Sequence, residues 1–251
     1  MKQDTLYQYI LGIADNSLIL GQRLGELCGH GPTLETDIAI TNISLDLIGQ
    51  TRSYYQYAAG LCDDGRTEDD IAFLRKEREY RNVLLVEQPN THFGYVMVRQ
   101  FFFDVFHLLF LKELQQSSDE TLVAIANKAV KEVTYHQRFS SDWVKRLGDG
   151  TKESHEKIQE AVDDLWRYTE GLFYVTEVES AAVKDGIGVA VSSLKDAYYE
   201  HIKSVLTEAT LSVPEHSFFQ KGGKDGIHTE HMGYLLSDLQ YMQRTFPNMN
   251  W

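Results

Sequence analysis

The amino-acid sequence predicts an all-α fold, and three observations lead to this class. Only 4 of the 251 residues are proline, the residue that interrupts helices most strongly. Apolar residues recur mostly at steps of three and four, which places them on one face of a helix. A chain of this length also buries a substantial core, so a single domain spanning residues 1–251 is the simplest prediction.

The order of the helices can be predicted from apolar periodicity and from glycine or proline boundaries. Four long helices are expected at about residues 6–27, 33–61, 92–115 and 120–147. Between the second and third lies a charged segment, 63–81, which is expected to hold a short helix at about 71–78. Three further helices are expected near the C-terminal end, at about residues 158–173, 194–211 and 232–246.

Charged side chains interrupt the apolar stretches of three of the long helices. Asp104 and His107 stand three residues apart in the third helix. Glu132 and His136 fall on the predicted seam of the fourth, which runs through residues 122, 125, 129, 132, 136, 139 and 143. Asp46 lies among leucines and isoleucines in the second. A buried carboxylate must be hydrogen-bonded, paired or metal-bound to offset its desolvation. Carboxylates pointing inward from three helices therefore predict a ferritin-like four-helix bundle with an ancestral or actual metal centre.

The ligand pattern of a di-iron bundle is incomplete in this chain. Such bundles carry Glu-x-x-His on two helices, but Gly49 stands three residues after Asp46 and Tyr135 three residues after Glu132. The favoured prediction is a buried polar network that is a degenerate metal site and holds no metal. Its members would be Asp46, Asp104, His107, Glu132, Tyr135 and His136. The alternative is a working di-metal site with irregular spacing.

Composition limits the classes of partner and the compartment. The chain has 24 lysines and arginines against 37 aspartates and glutamates, a net charge of −13. This balance argues against nucleic acid or a membrane surface as the principal partner. The only two cysteines, Cys28 and Cys62, are too few for a disulfide framework, and the first nine residues lack a signal-peptide pattern. A cytoplasmic location is expected.

Four sequence segments carry a resemblance that extends over nearly the whole chain. They are residues 18–59 (LILGQRLGELCGHGPTLETDIAITNISLDLIGQTRSYYQYAA), 84–90 (LLVEQPN), 131–151 (KEVTYHQRFSSDWVKRLGDGT) and 222–244 (GGKDGIHTEHMGYLLSDLQYMQR). In this order they resemble the accessory subunits of bacterial multicomponent phenylacetyl-CoA epoxidases, the phenylacetate catabolic protein C family. The resemblance implies a ferritin-like structural subunit without iron that pairs with a homologous, iron-bearing catalytic subunit.

The same resemblance implies the reaction of the whole complex. That complex activates O₂ and epoxidises the aromatic ring of phenylacetyl-CoA, which the catalytic subunit would mainly bind. Electrons would come from NADPH through a separate reductase, so no cofactor is expected in this chain. Two other functions stay open: an autonomous di-metal oxidase or oxygenase, and a ferritin-like binding protein unconnected with oxygenation.

Two charged segments are predicted to contact the catalytic subunit or its acyl-CoA. The first comprises Arg75, Arg78, Glu79, Tyr80, Arg81 and Asn82. Arginine suits phosphate, although a solvated helix surface would show the same run of charge. The second is the glycine-rich loop with Lys221 and Lys224, which would offer lysines and backbone N–H groups to an anion or act only as a flexible helix entry. The histidines of the following His228-Thr229-Glu230-His231 run are expected to make hydrogen bonds at the start of the last helix.

Overall fold

The computed structural model describes residues 3–215, 218–247 and 249, and no strand occurs within these ranges. The predicted all-α class is therefore confirmed for the described part of the chain. Its helices are α1 (Gln3–Gly25), α2 (Leu34–Gly60), α3 (Glu68–Phe73), α4 (Phe93–Leu114), α5 (Glu120–Gly148), α6 (Lys152–Leu165), α7 (Glu177–Lys184), α8 (Lys195–Glu208) and α9 (Glu230–Thr245). Short 3-10 helices join several of them.

The chain divides into two compact units. The first unit comprises residues 1–89 and 222–251, and the second comprises residues 90–221. Helices α1, α2, α3 and α9 belong to the first unit, and α4 to α8 belong to the second. The single domain expected from the sequence stays a prediction.

An antiparallel pair, α1 and α2, forms the core of the first unit. The hydroxyl of Ser44 donates to the carbonyl oxygen of Gly21 at 2.7 Å, which draws the two backbones together. A Cβ atom added at Gly21 would lie 3.3 Å from the side chain of Ile48, so a side chain there would crowd α2. Thr33 begins α2 as its N-cap, because its hydroxyl accepts a hydrogen bond from the N–H of Thr36.

A second antiparallel pair, α4 and α5, forms the core of the second unit. The rings of Phe93 and Trp143 meet edge to face at one end, and Gln115 donates to Asn127 at the other. Within the described residues, α4 is the one helix long and apolar enough to cross a membrane by length and composition. Because 83% of its apolar window is buried inside the protein, this helix has the character of a core element.

The long helices lie within a few residues of their predicted ranges, but three shorter elements differ. The short helix α3 ends at Phe73, whereas the sequence predicted a helix at about 71–78. The predicted helix at 158–173 ends as an α-helix at Leu165 and continues as a 3-10 helix. No helix was predicted at α7, which begins with a capping box between Thr176 and Glu179.

Candidate functional site

The predicted polar seam is built in the second unit around the carboxylate of Asp104, which is fully buried. One carboxylate oxygen accepts from the side-chain amide of Gln100 at 2.6 Å, and the other accepts from the hydroxyl of Ser140 at 2.8 Å. Gln100 lies one turn before Asp104 on α4, while Ser140 lies on α5. Burial raises the pKa of Asp104 to about 7, although His136 and the two hydrogen bonds oppose that rise.

Two histidines share the interior of the second unit with Asp104. His107 is 3% exposed and packs its ring against Phe103 at a centroid distance of 5.1 Å. Burial and the neighbouring His136 lower the pKa of His107 to about 3, so its imidazole is neutral at pH 7. His136 on α5 is fully buried. The structure thus brings Asp104, His107 and His136 into one buried cluster with Gln100 and Ser140.

The other three predicted members of the network do not share this burial. Tyr135 is 49% exposed, so its predicted burial is wrong. The carboxylate of Glu132 is partly exposed and lies 3.9 Å from the ammonium of Lys128, and Asp46 is partly exposed on α2 in the first unit.

The error in α5 comes from the choice of helix face. The sequence placed the seam at residues 129, 132, 136, 139 and 143, but the buried residues over this stretch are Ala129, Val133, His136, Ser140, Ser141 and Val144. Both series have helical spacing, and they differ by one residue at most positions. One residue rotates a side chain by about 100° around the axis, which is enough to move it out of the core.

The buried cluster does not fit the di-iron centre that a ferritin-like bundle can hold. Such a centre needs several carboxylates and histidines converging from different helices. Here both oxygens of Asp104 already accept hydrogen bonds, from an amide and from a hydroxyl. Across the described ranges, no group of three or more His, Cys, Asp or Glu side chains is placed to hold a metal ion.

A second buried cluster, in the first unit, is centred on Asp15, a residue that no sequence pattern singled out. The guanidinium of Arg75 binds both of its carboxylate oxygens, at 3.0 and 2.6 Å. The hydroxyl of Tyr55 and the backbone N–H of Arg81 also donate to this carboxylate. Asp15 is fully buried and Arg75 is 9% exposed, so the pair is shielded from water.

Tyr80 and the C-terminal helix α9 complete the surroundings of Arg75. The ring of Tyr80 lies 4.1 Å from the guanidinium carbon. Gln240 of α9 donates to the backbone oxygen of Arg75 at 2.9 Å and to the hydroxyl of Tyr80 at 2.8 Å. Tyr80 is fully buried, and this burial raises the pKa of its hydroxyl to about 12.

These contacts correct the interpretation of the basic segment as a surface. Arg75, Tyr80 and Asn82 are buried, so the surface position expected of them is wrong. The reason is tertiary: Asp15 lies 60 residues before Arg75 in sequence and neutralises its charge in the interior.

The remaining residues of the two charged segments are accessible to different degrees. Arg78 and Glu79 are exposed, and Glu79 accepts from the backbone N–H of Lys76. Arg81 is half-buried and donates to two backbone oxygens of its own segment. Lys221, in the second unit, is exposed with its ammonium 4.7 Å from the ring centre of Tyr174, and Lys224, in the first unit, is partly exposed. Contact of Arg78, Glu79, Arg81, Lys221 and Lys224 with a catalytic subunit stays a prediction.

At the histidine-rich entry to α9, His228 makes the predicted side-chain hydrogen bond, to the backbone oxygen of Tyr80. The imidazole of His228 lies 3.2 Å from one carboxylate oxygen of Glu87 and 3.2 Å from the backbone oxygen of Tyr80. The other oxygen of Glu87 accepts from the backbone N–H of Thr229. Arg23 donates to the backbone oxygens of Glu87 and His231. These contacts attach the start of α9 to the rest of the first unit.

A cavity of about 410 Å³ lies beside Arg75 in the first unit. Its lining includes Tyr7, Asp64, Arg66 and Glu79. Arg66 forms an ion pair with Asp64 and donates to the hydroxyl of Tyr7, while Arg75 is engaged by Asp15. The two arginines of this cavity are therefore neutralised from within the chain.

The helical composition and the long antiparallel pairs α1–α2 and α4–α5 place the described part of this protein in the all-α, ferritin-like class. The chain belongs to the phenylacetic acid catabolic protein family, whose sequence model matches residues 1–251. It is 46% identical over 246 residues to the C subunit of the 1,2-phenylacetyl-CoA epoxidase of Escherichia coli strain K12. That similarity covers 98% of this chain and 99% of the relative. The resemblance carried by the four sequence segments is thereby confirmed.

Proposed function

We propose that this chain is the non-catalytic structural subunit of a multicomponent phenylacetyl-CoA 1,2-epoxidase in phenylacetate catabolism. The observation that carries the proposal is the similarity to the C subunit of such an epoxidase over almost the full length of both proteins. It is supported by the state of Asp104, whose two carboxylate oxygens are engaged by an amide and a hydroxyl.

In this proposal the redox chemistry resides in other components of the complex. A homologous catalytic subunit holds the iron and mainly binds phenylacetyl-CoA, and a separate reductase delivers electrons from NADPH. This chain contributes a folded helical surface against which the catalytic subunit is held. It needs neither nucleic acid nor a membrane, and it works in the cytoplasm. Its net charge of −13 accords with a protein partner rather than a polyanionic one.

The purified chain is expected to carry no stoichiometric iron and to consume no O₂ with phenylacetyl-CoA. The physical reason is that Asp104 is hydrogen-bonded on both oxygens and that the described residues place no group of three or more potential ligands around a metal. Metal analysis and an oxygen electrode provide the measurements after the chain has been incubated with ferrous iron.

The Asp104→Asn variant is the matched control for this measurement. It keeps the shape of the side chain and removes the charge that a metal would need, so any iron held at this cluster would be lost in the variant. If the wild type holds as much iron as a di-iron bundle and the variant does not, the autonomous oxidase or oxygenase would be favoured instead.

A further inference from the structure

One face of α2 is apolar and exposed. Four large aliphatic side chains lie on it: Leu34 (71% exposed), Ile38 (50%), Leu45 (60%) and Ile48 (42%). Their steps of four, seven and three residues place them along a single side of the helix, which we call the α2 stripe. It spans about 21 Å of helix at 1.5 Å per residue.

The opposite face of α2 is apolar as well. Ile40, Ile43, Leu47 and Tyr54 are buried there against the rest of the first unit. A surface helix of a globular protein normally has one apolar and one polar face, whereas a helix that is apolar all round is normally covered all round. The α2 stripe is thus larger than the single exposed aliphatic residues common on protein surfaces.

The charges of α2 indicate the kind of occupant. Between its first and last residues the helix carries three acidic residues, Glu35, Asp37 and Asp46, and one basic residue, Arg52. Arg52 lies 3.4 Å from the carboxylate of Glu68, which offsets its charge. The border of the α2 stripe is therefore acidic, and it suits an apolar surface bordered by lysine or arginine.

A second copy of this chain fits the stripe poorly. Each copy carries a net charge of −13, so two copies would bring together acidic borders on acidic proteins. A different helical protein with basic residues around its apolar face avoids that repulsion.

We infer that the α2 stripe is the docking surface for the catalytic subunit of the epoxidase, an inference that rests on the proposed function. The apposed face of that subunit is apolar and bordered by basic side chains. Leu34, Ile38, Leu45 and Ile48 lie at the centre of the interface, where aliphatic burial provides affinity. The acidic residues of α2 lie at its border and fix the choice of partner.

Lysine and glutamate variants at the same positions test both parts of this inference, the apolar centre of the interface and its acidic border. Ile38→Lys and Leu45→Lys are expected to weaken binding of the co-expressed catalytic subunit by at least about tenfold each, as for residues central to an interface. Ile38→Glu and Leu45→Glu remove the same apolar area but add a charge that suits a basic border, so they are expected to weaken binding less. Affinities are measured with full-length proteins by titration after size exclusion.

Tyr234→Lys and Tyr241→Lys on α9 are the matched controls. These tyrosines belong to the same unit and are 75% and 58% exposed, and binding is expected to stay unchanged when they are replaced. The unfolding midpoint of each isolated stripe variant is measured as well. A large loss of stability would show that the stripe is covered within the chain and would overturn the inference.

The outcomes separate this inference from the proposed function. If the wild-type chain does not bind the catalytic subunit, the proposed function fails. If the wild type binds and the lysine variants bind equally well, the docking surface is wrong and the proposed function stands. A wild-type homodimer that the lysine variants dissociate would assign the stripe to a second copy and overturn the inference.

Discussion

Replacing Arg75 by methionine is expected to lower the free energy of unfolding by about 3 to 5 kcal/mol, the range found when one member of a buried ion pair is removed. Methionine preserves much of the side-chain volume, but it leaves the fully buried carboxylate of Asp15 without its bidentate cation. Urea denaturation of the isolated chain, followed by circular dichroism, measures the change.

Arg78→Met is the control for the loss of Arg75, because Arg78 belongs to the same segment and is exposed. Its effect is expected to stay below about 1 kcal/mol. The double variant Asp15→Leu/Arg75→Met should lose less stability than the two single variants together, since neither charge is then left buried alone. An Arg75→Met variant as stable as Arg78→Met would contradict the burial of this pair.

Asp104→Asn is expected to gain stability relative to the wild type as the pH rises from about 4 to about 7. Burial raises the pKa of Asp104 in the folded protein from 3.8 to about 7, so the folded chain retains a proton that the unfolded chain has already released. The stability contributed by this carboxyl is fully present below pH 3.8 and is lost as the pH rises through about 7. Asparagine does not titrate. For a pKa difference of this size between the folded and unfolded chain, the gain in unfolding free energy of the variant over the wild type is at most about 4 kcal/mol.

His107→Gln should change the pH dependence of stability in the direction opposite to that of Asp104→Asn. The pKa of His107 is about 3 in the folded protein against an ordinary 6.5, so its contribution is fully present above 6.5 and is lost as the pH falls toward 3. Removing this histidine should therefore help the protein most at low pH. Unfolding free energies of the wild type and both variants, measured from about pH 4 to about pH 8, test the two signs together. Parallel profiles for all three proteins would contradict the burial of these groups.

The sequence was sufficient for most of the fold because long helices have a strong periodic pattern. Helix α4 is apolar on nearly every side, so the burial of Asp104 and His107 followed without knowing which way the helix faces. In α5 the apolar pattern allowed two faces one residue apart, and packing decided in favour of Val133 over Glu132. Helix α7 has only eight residues, too few for a clear period, and its capping box was the available signal.

The Asp15–Arg75 pair could not be predicted from the sequence for a different reason. Each residue looks ordinary within its own segment, and the ion pair joins positions 60 residues apart. Only the packed unit brings the helix of Asp15 beside Arg75, places Tyr55 and Tyr80 around the guanidinium, and brings Gln240 to the backbone oxygen of Arg75. Local charge patterns favour solvent exposure, and tertiary packing overrides them where an opposite charge and aromatic rings are available.

NADPH-dependent epoxidation of phenylacetyl-CoA by the proposed iron-bearing subunit and reductase, measured with and without this chain, is the most direct test of the proposed structural role. The expected result is a stable complex of the two subunits on size exclusion and turnover that requires this chain. Wild-type chain and the Asp104→Asn variant should support turnover equally at a pH where both are folded. An iron-bearing subunit that is fully active without this chain would contradict the structural role.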